Sequence, residues 1–189
     1  MGYPLETSFD TSGDNIQRRE LYSMDEFAET EPPGSTNWML YKCWKSLSLG
    51  GRVPLAQDVL TDNSNTMRLY GQTTLIDVSD PNPWNFVFMA HWHTPYARLG
   101  SELTNTRVSQ YPCMMHAKAL MSEYFMARER ATPLYHEIEQ LIFGISRHYR
   151  RLILPLADTD NRVSKLVVGV RSVRPPFQVK QNAEIMLMN

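Results

Sequence analysis

Three strand-like runs follow one another closely in the carboxyl-terminal half of the chain, and this feature limits the available folds most strongly. The runs are LYHEIEQLIF, HYRRLILPLAD and VSKLVVGVRSV, and only GISR and TDNR separate them. Their β-branched and apolar residues are typical of strands in a half-buried sheet. Pro155 in the second run indicates an edge or a bulge there, because proline cannot donate to the strand ladder. We therefore expect a meander of three antiparallel strands.

Two earlier strands and a long helix precede the meander. TTLIDVSD and WNFVFMAHWH meet at the turn-forming DPNP, which predicts a hairpin. The run CMMHAKALMSEYFMARER predicts a helix from Cys113 that Ser109 could cap. Its helical spacing predicts a buried stripe of six residues: Met114, Ala117, Met121, Tyr124, Phe125 and Arg128. The predicted fold is α+β, a five-stranded antiparallel sheet with helices on one side.

An additional helix is predicted before the first strand, from about Thr36 to Leu49, with Gly50 and Gly51 ending it. Its five apolar residues cover more of its circumference than one contact face requires: Trp38, Leu40, Tyr41, Trp44 and Leu47. We therefore expect the aromatic residues Trp38, Tyr41 and Trp44 to form a protein-binding interface. The predicted organisation is an acidic arm and linker over residues 1–35, a domain over 36–175 that includes this helix, and a tail over 176–189.

Charge is distributed unevenly along the chain. Residues 1–33 contain eight acidic residues and two arginines, whereas the whole chain has a net charge of only −1. The body is therefore mildly basic, and its densest positive cluster is RHYRR, with Arg147, Arg150 and Arg151. A solvated tail beside an ordinary surface explains this pattern. A sharper interpretation is that the arm lies on a basic surface, its own or a partner's. The excess of positive charge is small and no nucleic-acid-binding motif accompanies it, so the charge does not indicate nucleic-acid binding.

Several short motifs with matching order and spacing resemble a family of single-domain bacterial PAS proteins typical of alphaproteobacteria. The resemblance covers about residues 36–175. The matching residues are Trp38 and Trp44, Gly51-Arg52-Val53-Pro54 with Asp58, Leu75-Ile76-Asp77-Val78, Gly100-Ser101-Glu102-Leu103-Thr104, Leu152 to Asp158 around Pro155, and Val163, Leu166 and Gly169. The resemblance implies two strands, a helical segment, a connecting helix and a three-stranded meander.

The resemblance also implies a stand-alone signalling module without an attached effector domain, whose output passes through protein contact. Its N-terminal helix and sheet would bind a protein partner or a second copy of the chain. An alternative is an accessory subunit that uses the PAS fold as a binding block in a larger assembly, which could itself be attached to a membrane. A third alternative is a metal or haem sensor.

His91 and His93 flank Trp92 in the second predicted strand, where relatives carry R-L-x-G-T. A glycine is missing there and an indole lies near its place, which predicts that any family pocket is altered or filled. The candidate pocket residues are His91, Trp92, His93, Met121 and Phe125. The two histidines share one strand face and could bind zinc, although a site needs further ligands. Two half-exposed histidines explain the pair more simply, and no feature selects a haem ligand.

Neither enzymatic nor membrane-spanning character is expected from the sequence. The chain lacks the GxSxG, P-loop, GxGxxG and HExxH motifs, and no reactive cysteine precedes the long helix as in flavin-dependent PAS photosensors. The four methionines of the long helix, Met114, Met115, Met121 and Met126, could line a cofactor pocket but are more simply adaptable core residues. The chain has no long apolar run, and its two cysteines, Cys43 and Cys113, are far apart. We expect a cytoplasmic protein without a cofactor.

Overall fold

The structure is a computed structural model that describes residues 15–20, 24–61, 73–91, 103–142 and 145–178. The strands are β1 (Asn15–Glu20), β2 (Thr73–Asp77), β3 (Val87–His91), β4 (Leu134–Ile142), β5 (Ile145–Ala157) and β6 (Val163–Gln178). The helices are α1 (Met24–Thr30), α2 (Thr36–Leu47), α3 (Ala56–Thr61) and α4 (Met114–Arg130). Three short 3-10 turns, at Leu49–Gly51, Pro83–Asn85 and Val108–Gln110, complete the described elements.

One antiparallel sheet contains all the described strands, in the order β1-β4-β5-β6-β2-β3. The predicted hairpin is β2–β3 and the predicted meander is β4–β6, so the α+β class and the five-stranded PAS-like sheet are confirmed. β1, which belongs to the predicted arm, adds a sixth strand beside β4. β6 extends to Gln178, past the predicted domain limit at residue 175.

Helices cover both faces of this sheet, so the prediction that the helices lie on one side is wrong. We call the face that contacts α4 the inner face and the face that contacts α1 and α2 the outer face. Residues 151–157 of β5 are buried without interruption because alternate side chains enter cores on opposite faces. Ile153 lies in the inner core, and its neighbours Leu152 and Leu154 lie in the outer core. The predicted N-terminal helix, α2, therefore lies across the sheet from the connecting helix α4.

The predicted boundaries of α2 are close to the observed ones. The Ser35 side chain accepts a hydrogen bond from the backbone amide of Trp38 at 3.2 Å, which caps the first turn. Gly50 and Gly51, just after the helix, have φ angles of +64° and +77°, a region that glycine adopts without steric cost. The helix lies so close to β6 that a Cβ added to Gly169 would contact the Asn37 side chain and approach Leu40 Cδ1 to 2.7 Å.

Pro155 lies in the middle strand of the meander and still satisfies the expectation of an edge. The partner strand β4 begins at Leu134, which pairs with Ile153, so Pro155 extends beyond its end. On its other side, Pro155 pairs with Leu166 of β6. The missing amide hydrogen therefore costs β5 no bond to β4. The Pro155 carbonyl accepts a hydrogen bond from Trp44 Nε1 at 2.7 Å, which attaches α2 to β5.

The predicted stripe of α4 is correct in its middle and wrong at its ends. Ala117, Met121 and Tyr124 are buried, but Met114 is 50% exposed and Phe125 is 38% exposed. The buried face also includes polar residues that the spacing did not select, namely His116 and Glu123. Ser109 does not cap the helix, whose N-cap residue is Cys113, and the Ser109 hydroxyl instead donates to the Trp84 carbonyl.

Two aspartates organise the connection between β2 and β3. Asp77 accepts hydrogen bonds from the amide and hydroxyl of Ser79, and Asp80 accepts one from the amide of Asn82. Partial burial opposes ionisation of Asp77, but the bonds from Ser79 and the charge of Lys165 outweigh it and lower its pKa. Arg128 of α4 donates to the Asp80 carbonyl at 2.6 Å, which holds the connection against the helix. Bend formation therefore explains both aspartates.

Among the described residues, no helix has the length and apolar character needed to cross a membrane.

Candidate protein-docking site

A ring of aromatic side chains on the outer face encloses Phe27 of α1. Phe27 is only 1% exposed, although its neighbours in the sequence are mostly acidic and polar. Its ring stacks on Trp38 at a centroid distance of 6.0 Å and contacts Tyr41 at 5.0 Å. Tyr135 of β4 meets it edge-on at 4.9 Å. These separations are typical of favourable aromatic pairs, so Phe27 anchors the arm to the body of the protein.

Glu31 is the second anchor, and its carboxylate is buried with hydrogen bonds to both oxygens. Oε1 accepts from the Tyr135 hydroxyl at 2.5 Å and from Asn37 Nδ2 at 3.3 Å. Oε2 accepts from Arg171 Nε at 2.8 Å and from the Ser35 hydroxyl at 2.9 Å. A buried carboxylate is tolerated only when it is paired and hydrogen-bonded in this way. The Glu31 side chain is 0% exposed and that of Arg171 is 25% exposed, so water reaches only the cation.

The carbonyl group of Thr30, at the end of α1, is the third anchor. Arg150 Nη1 donates to this oxygen at 2.7 Å, and Arg171 Nη2 donates to it at 3.2 Å. The last carbonyls of a helix carry partial negative charge and favour nearby cations. The last turn of α1 contains no basic residue of its own, so the sheet supplies the cations. We call the body residues that hold the arm the arm site: Trp38, Tyr41, Tyr135, Arg150 and Arg171.

Tyr135 has an altered acidity because of its position in the arm site. Burial of its hydroxyl disfavours the charged phenolate, and the Glu31 carboxylate that accepts its hydrogen bond disfavours the phenolate further. Both effects raise the pKa of Tyr135 well above its ordinary value of 10.0. The hydroxyl therefore remains a donor to Glu31 at any physiological pH.

Charged residues continue from the arm site along the outer face of β4 and β5. Arg150 Nε donates to Glu137 Oε2 at 3.1 Å, and His148 Nε2 lies 2.8 Å from Glu137 Oε1. Partial burial opposes ionisation of Glu137, but the hydrogen bonds and charges of His148 and Arg150 outweigh it and lower its pKa. Glu137 thus fixes the position of the Arg150 guanidinium that binds the arm.

The six predicted interface residues do not share one surface. Trp38 and Tyr41 belong to the arm site, where Phe27 covers them, and Trp44 is buried at 8% exposure. Arg150 also belongs to the arm site. The remaining two lie elsewhere.

Strand alternation separates the arginines of the RHYRR cluster. Arg151 lies on the inner face, where it is 4% exposed and donates to Glu123 of α4 at 2.5 Å. Arg147 is partly exposed and pairs in register with Gln140 of β4. Consecutive strand residues point to opposite faces, so a compact basic run in the sequence does not form one basic patch.

The predicted pocket residues fall only partly within the described structure. His91 is the last residue of β3, but its side chain, Trp92 and His93 lie outside what the structure describes. Met121 is 5% exposed in the inner core, whereas Phe125 is on the exposed side of α4 beneath the Arg128 guanidinium, 5.0 Å from the ring centroid. In the described ranges, no group of three or more His, Cys, Asp or Glu residues is arranged to hold a metal ion.

A buried polar network on the inner face was not predicted. Arg151 binds Glu123 with one nitrogen and the Tyr149 hydroxyl with another, at 2.8 Å. The Tyr149 hydroxyl donates to Gln140 Oε1 at 2.9 Å, and His136 Nδ1 lies 3.7 Å from the Glu123 carboxylate. This network joins α4 to β4 and β5 through buried hydrogen bonds and an ion pair, which favours a structural role.

Sequence reasoning did not identify Phe27, Glu31, Tyr135 or Arg171 as site residues. Phe27 could have been selected, because it is a single large apolar residue within the acidic run MDEFAET. The role of Glu31 depends on partners that are 104 and 140 positions away, and no local pattern reveals them.

No family model matches the chain, and no curated protein matches it.

Proposed function

We propose that the chain is a non-enzymatic PAS-like regulatory module that acts in the cytoplasm through protein–protein contacts and needs no cofactor. The arm site supports this proposal best. It combines an aromatic enclosure, a buried carboxylate position and two arginines directed at a helix end. Aromatic and arginine residues are enriched where proteins bind proteins. This combination supports the binding of a peptide segment.

The regulatory module would bind its partner reversibly, and the arm would influence that binding. Cross-linking in native cells identifies the partner, which is then purified. The purified partner should bind the wild-type chain at a defined stoichiometry. Sedimentation velocity on the purified chain alone should detect self-association if the partner is a second copy. A chain that has no stoichiometric partner and stays monomeric at all concentrations would contradict the proposal.

An accessory subunit of a larger assembly is the second candidate, and the depth at which the arm is anchored favours it. Glu31 is 1% exposed and its carboxylate has four hydrogen-bond donors, so an arm that stays docked would make the chain a fixed building block. A subunit should remain in its complex through purification and exchange slowly with added free chain. A regulatory module should exchange with labelled free chain within the time of a gel-filtration run.

A metal or haem sensor is the third reading, and it would rest on His91 and His93. An absorption spectrum and a metal analysis of protein purified from the native cell test it directly. A Soret band or stoichiometric zinc would replace the protein-contact proposal with a sensor function.

A further inference from the structure

The arm site binds the arm as a receptor binds a short linear ligand. The ligand contributes Phe27, Glu31, and the carbonyl and hydroxyl of Thr30. Phe27 and Glu31 are four residues apart, which places them about 6 Å apart along a helix axis and on the same side. The receptor residues belong to α2, β4, β5 and β6, and they hold these groups from several directions.

The link between ligand and receptor is short and exposed. Pro32, Pro33 and Gly34 connect the anchored segment to the cap of α2, and all three are exposed. Gly34 has a φ angle of +86°, which makes it the residue at which the chain turns. A segment tethered in this way has an effective concentration on the order of millimolar at its own site. The tethered arm therefore competes strongly with any free ligand of the same chemistry.

Charge further defines the ligands that fit. Arg150 and Arg171 face the end of α1, and the arm sequence around Phe27 contains four acidic residues, Asp25, Glu26, Glu29 and Glu31. The carboxylate position also requires an acceptor for the hydroxyl of Tyr135, whose raised pKa keeps it protonated. A basic or purely apolar helix would leave Arg171 and Tyr135 without the acceptor that Glu31 supplies.

We infer that the arm site binds an acidic helix of a partner protein that carries an aromatic residue followed four positions later by glutamate, and that residues 24–31 occupy the site as an internal competitor. This inference rests on the proposed function, because it names the class of partner for protein contact. Release of the arm uncovers Trp38, Tyr41 and Tyr135 together with both arginines. The apparent affinity for the partner then depends on the free energy of releasing the arm from the arm site.

A synthetic peptide tests the inference with the full-length chain. The probe is fluorescein-labelled MDEFAETEPPGS, residues 24–35, and the receptor is the Phe27→Ala/Glu31→Gln double variant, which weakens the internal competitor and keeps the arm site intact. Fluorescence anisotropy should show saturable binding to this variant about tenfold or more tighter than to the wild-type chain, because a larger fraction of the receptor is open. Peptides that carry Phe27→Ala or Glu31→Gln should bind this variant about tenfold more weakly than the unchanged peptide does.

A matched pair of charge variants provides the control. Arg171→Ala, added to the Phe27→Ala/Glu31→Gln variant (the opened variant), should abolish peptide binding. Arg162→Ala removes the same charge from an exposed position in the β5–β6 turn and should leave peptide binding unchanged. Circular dichroism confirms that each protein is folded, and the single variant Glu31→Gln replaces the double variant if the latter does not fold. Equal peptide affinity for the wild-type and opened chains, or binding that survives Arg171→Ala, would overturn the inference.

Failure of this test and failure of the proposed function give different results. The peptide assay contains no cellular partner, so a negative result removes acidic-helix recognition and leaves association through another surface intact. A chain without any stoichiometric partner or self-association contradicts the proposed function instead, whatever the peptide does.

Discussion

A double-mutant cycle on Glu31 and Arg171 measures the ion pair that anchors the arm. Glu31→Gln keeps the shape of the side chain and one acceptor for Tyr135, but it removes the negative charge that Arg171 contacts at 2.8 Å. Arg171→Met removes the cation and keeps an unbranched apolar stem of similar reach. The double variant removes both charges, and the coupling energy is what remains after the single effects are subtracted.

The burial of the two groups sets the expected size of this coupling. Breaking one partner of a fully buried pair costs about 3–5 kcal/mol. The Arg171 side chain is 25% exposed, so water can partly solvate it after Glu31 is neutralised. We therefore expect each single variant to lose about 1.5–3 kcal/mol, the range for a hydrogen bond to a charged group. The coupling should be about 1–2 kcal/mol.

The assay is equilibrium urea unfolding followed by circular dichroism, with a second cycle as control. Asp77 and Lys165 form an ion pair on the same sheet at 3.5 Å, and the exposure of Lys165 equals that of Arg171 at 25%. The difference lies in the carboxylates, because Asp77 is 32% exposed and Glu31 is 0% exposed. The Asp77→Asn/Lys165→Met cycle should give at most about 1 kcal/mol. A Glu31–Arg171 coupling no larger than that of the control pair would refute the reasoning.

Three further predictions concern packing and acidity. Gly169→Ala should destabilise the fold by about 1–3 kcal/mol, because its Cβ would overlap the side chains of α2; an unchanged thermal midpoint would contradict the close approach of this helix. The folded-state pKa of Glu137 is below its ordinary value of 4.5, so its stabilisation is present above that pH and is lost as the pH falls through the folded value. Glu137→Gln should therefore reduce the loss of stability between neutral and acid pH. Urea midpoints of this variant that fall with pH as steeply as those of the wild type would contradict the contacts of Glu137 with His148 and Arg150. The raised pKa of Tyr135 predicts that one of the nine tyrosines titrates late in an alkaline scan of tyrosinate absorbance, and that its contribution to stability fades as the pH rises above 10.0. Tyr135→Phe should remove the late step, and a late step that persists in this variant would assign it to another tyrosine.

The strands β2 to β6 and the helices α2 and α4 were predictable because their signals are local. The capping serine before α2, the glycines after it and the separated β-branched runs all act within a few residues. The edge-like character of Pro155 was also correct, because the neighbouring strand begins only at Leu134. The β2–β3 hairpin and the β4–β5–β6 meander follow from such signals without knowledge of tertiary contacts.

The candidate site was less predictable because it depends on which face each residue enters. Arg150 and Arg151 are neighbours in the sequence, yet the first binds the arm and the second binds Glu123 on the opposite face. Trp44 looked like an interface residue because of its size, but its indole nitrogen is committed to the Pro155 carbonyl inside the outer core. Hydrophobicity alone does not separate a residue that packs within the chain from one that meets a partner.

The arm shows the same limit most clearly. Its composition predicts either a solvated linker or an arm that lies on a basic surface, and Phe27 is a single large apolar residue among acidic neighbours. Its docking depends on an aromatic enclosure from α2 and β4 and on Arg171 at 140 positions from Glu31. Long-range pairing of this kind cannot be read from local periodicity.

Amide hydrogen exchange of the arm, followed by mass spectrometry, tests the docking of Phe27 and Glu31 most directly. The Glu31 amide donates to the Phe27 carbonyl at 2.8 Å, so peptides covering residues 24–35 should be protected in the wild-type chain. Phe27→Ala/Arg171→Met should abolish this protection and leave peptides from β5 unchanged. Exchange of residues 24–35 in the wild-type chain at the rate of an unfolded peptide, or protection that the double variant does not reduce, would contradict a docked arm.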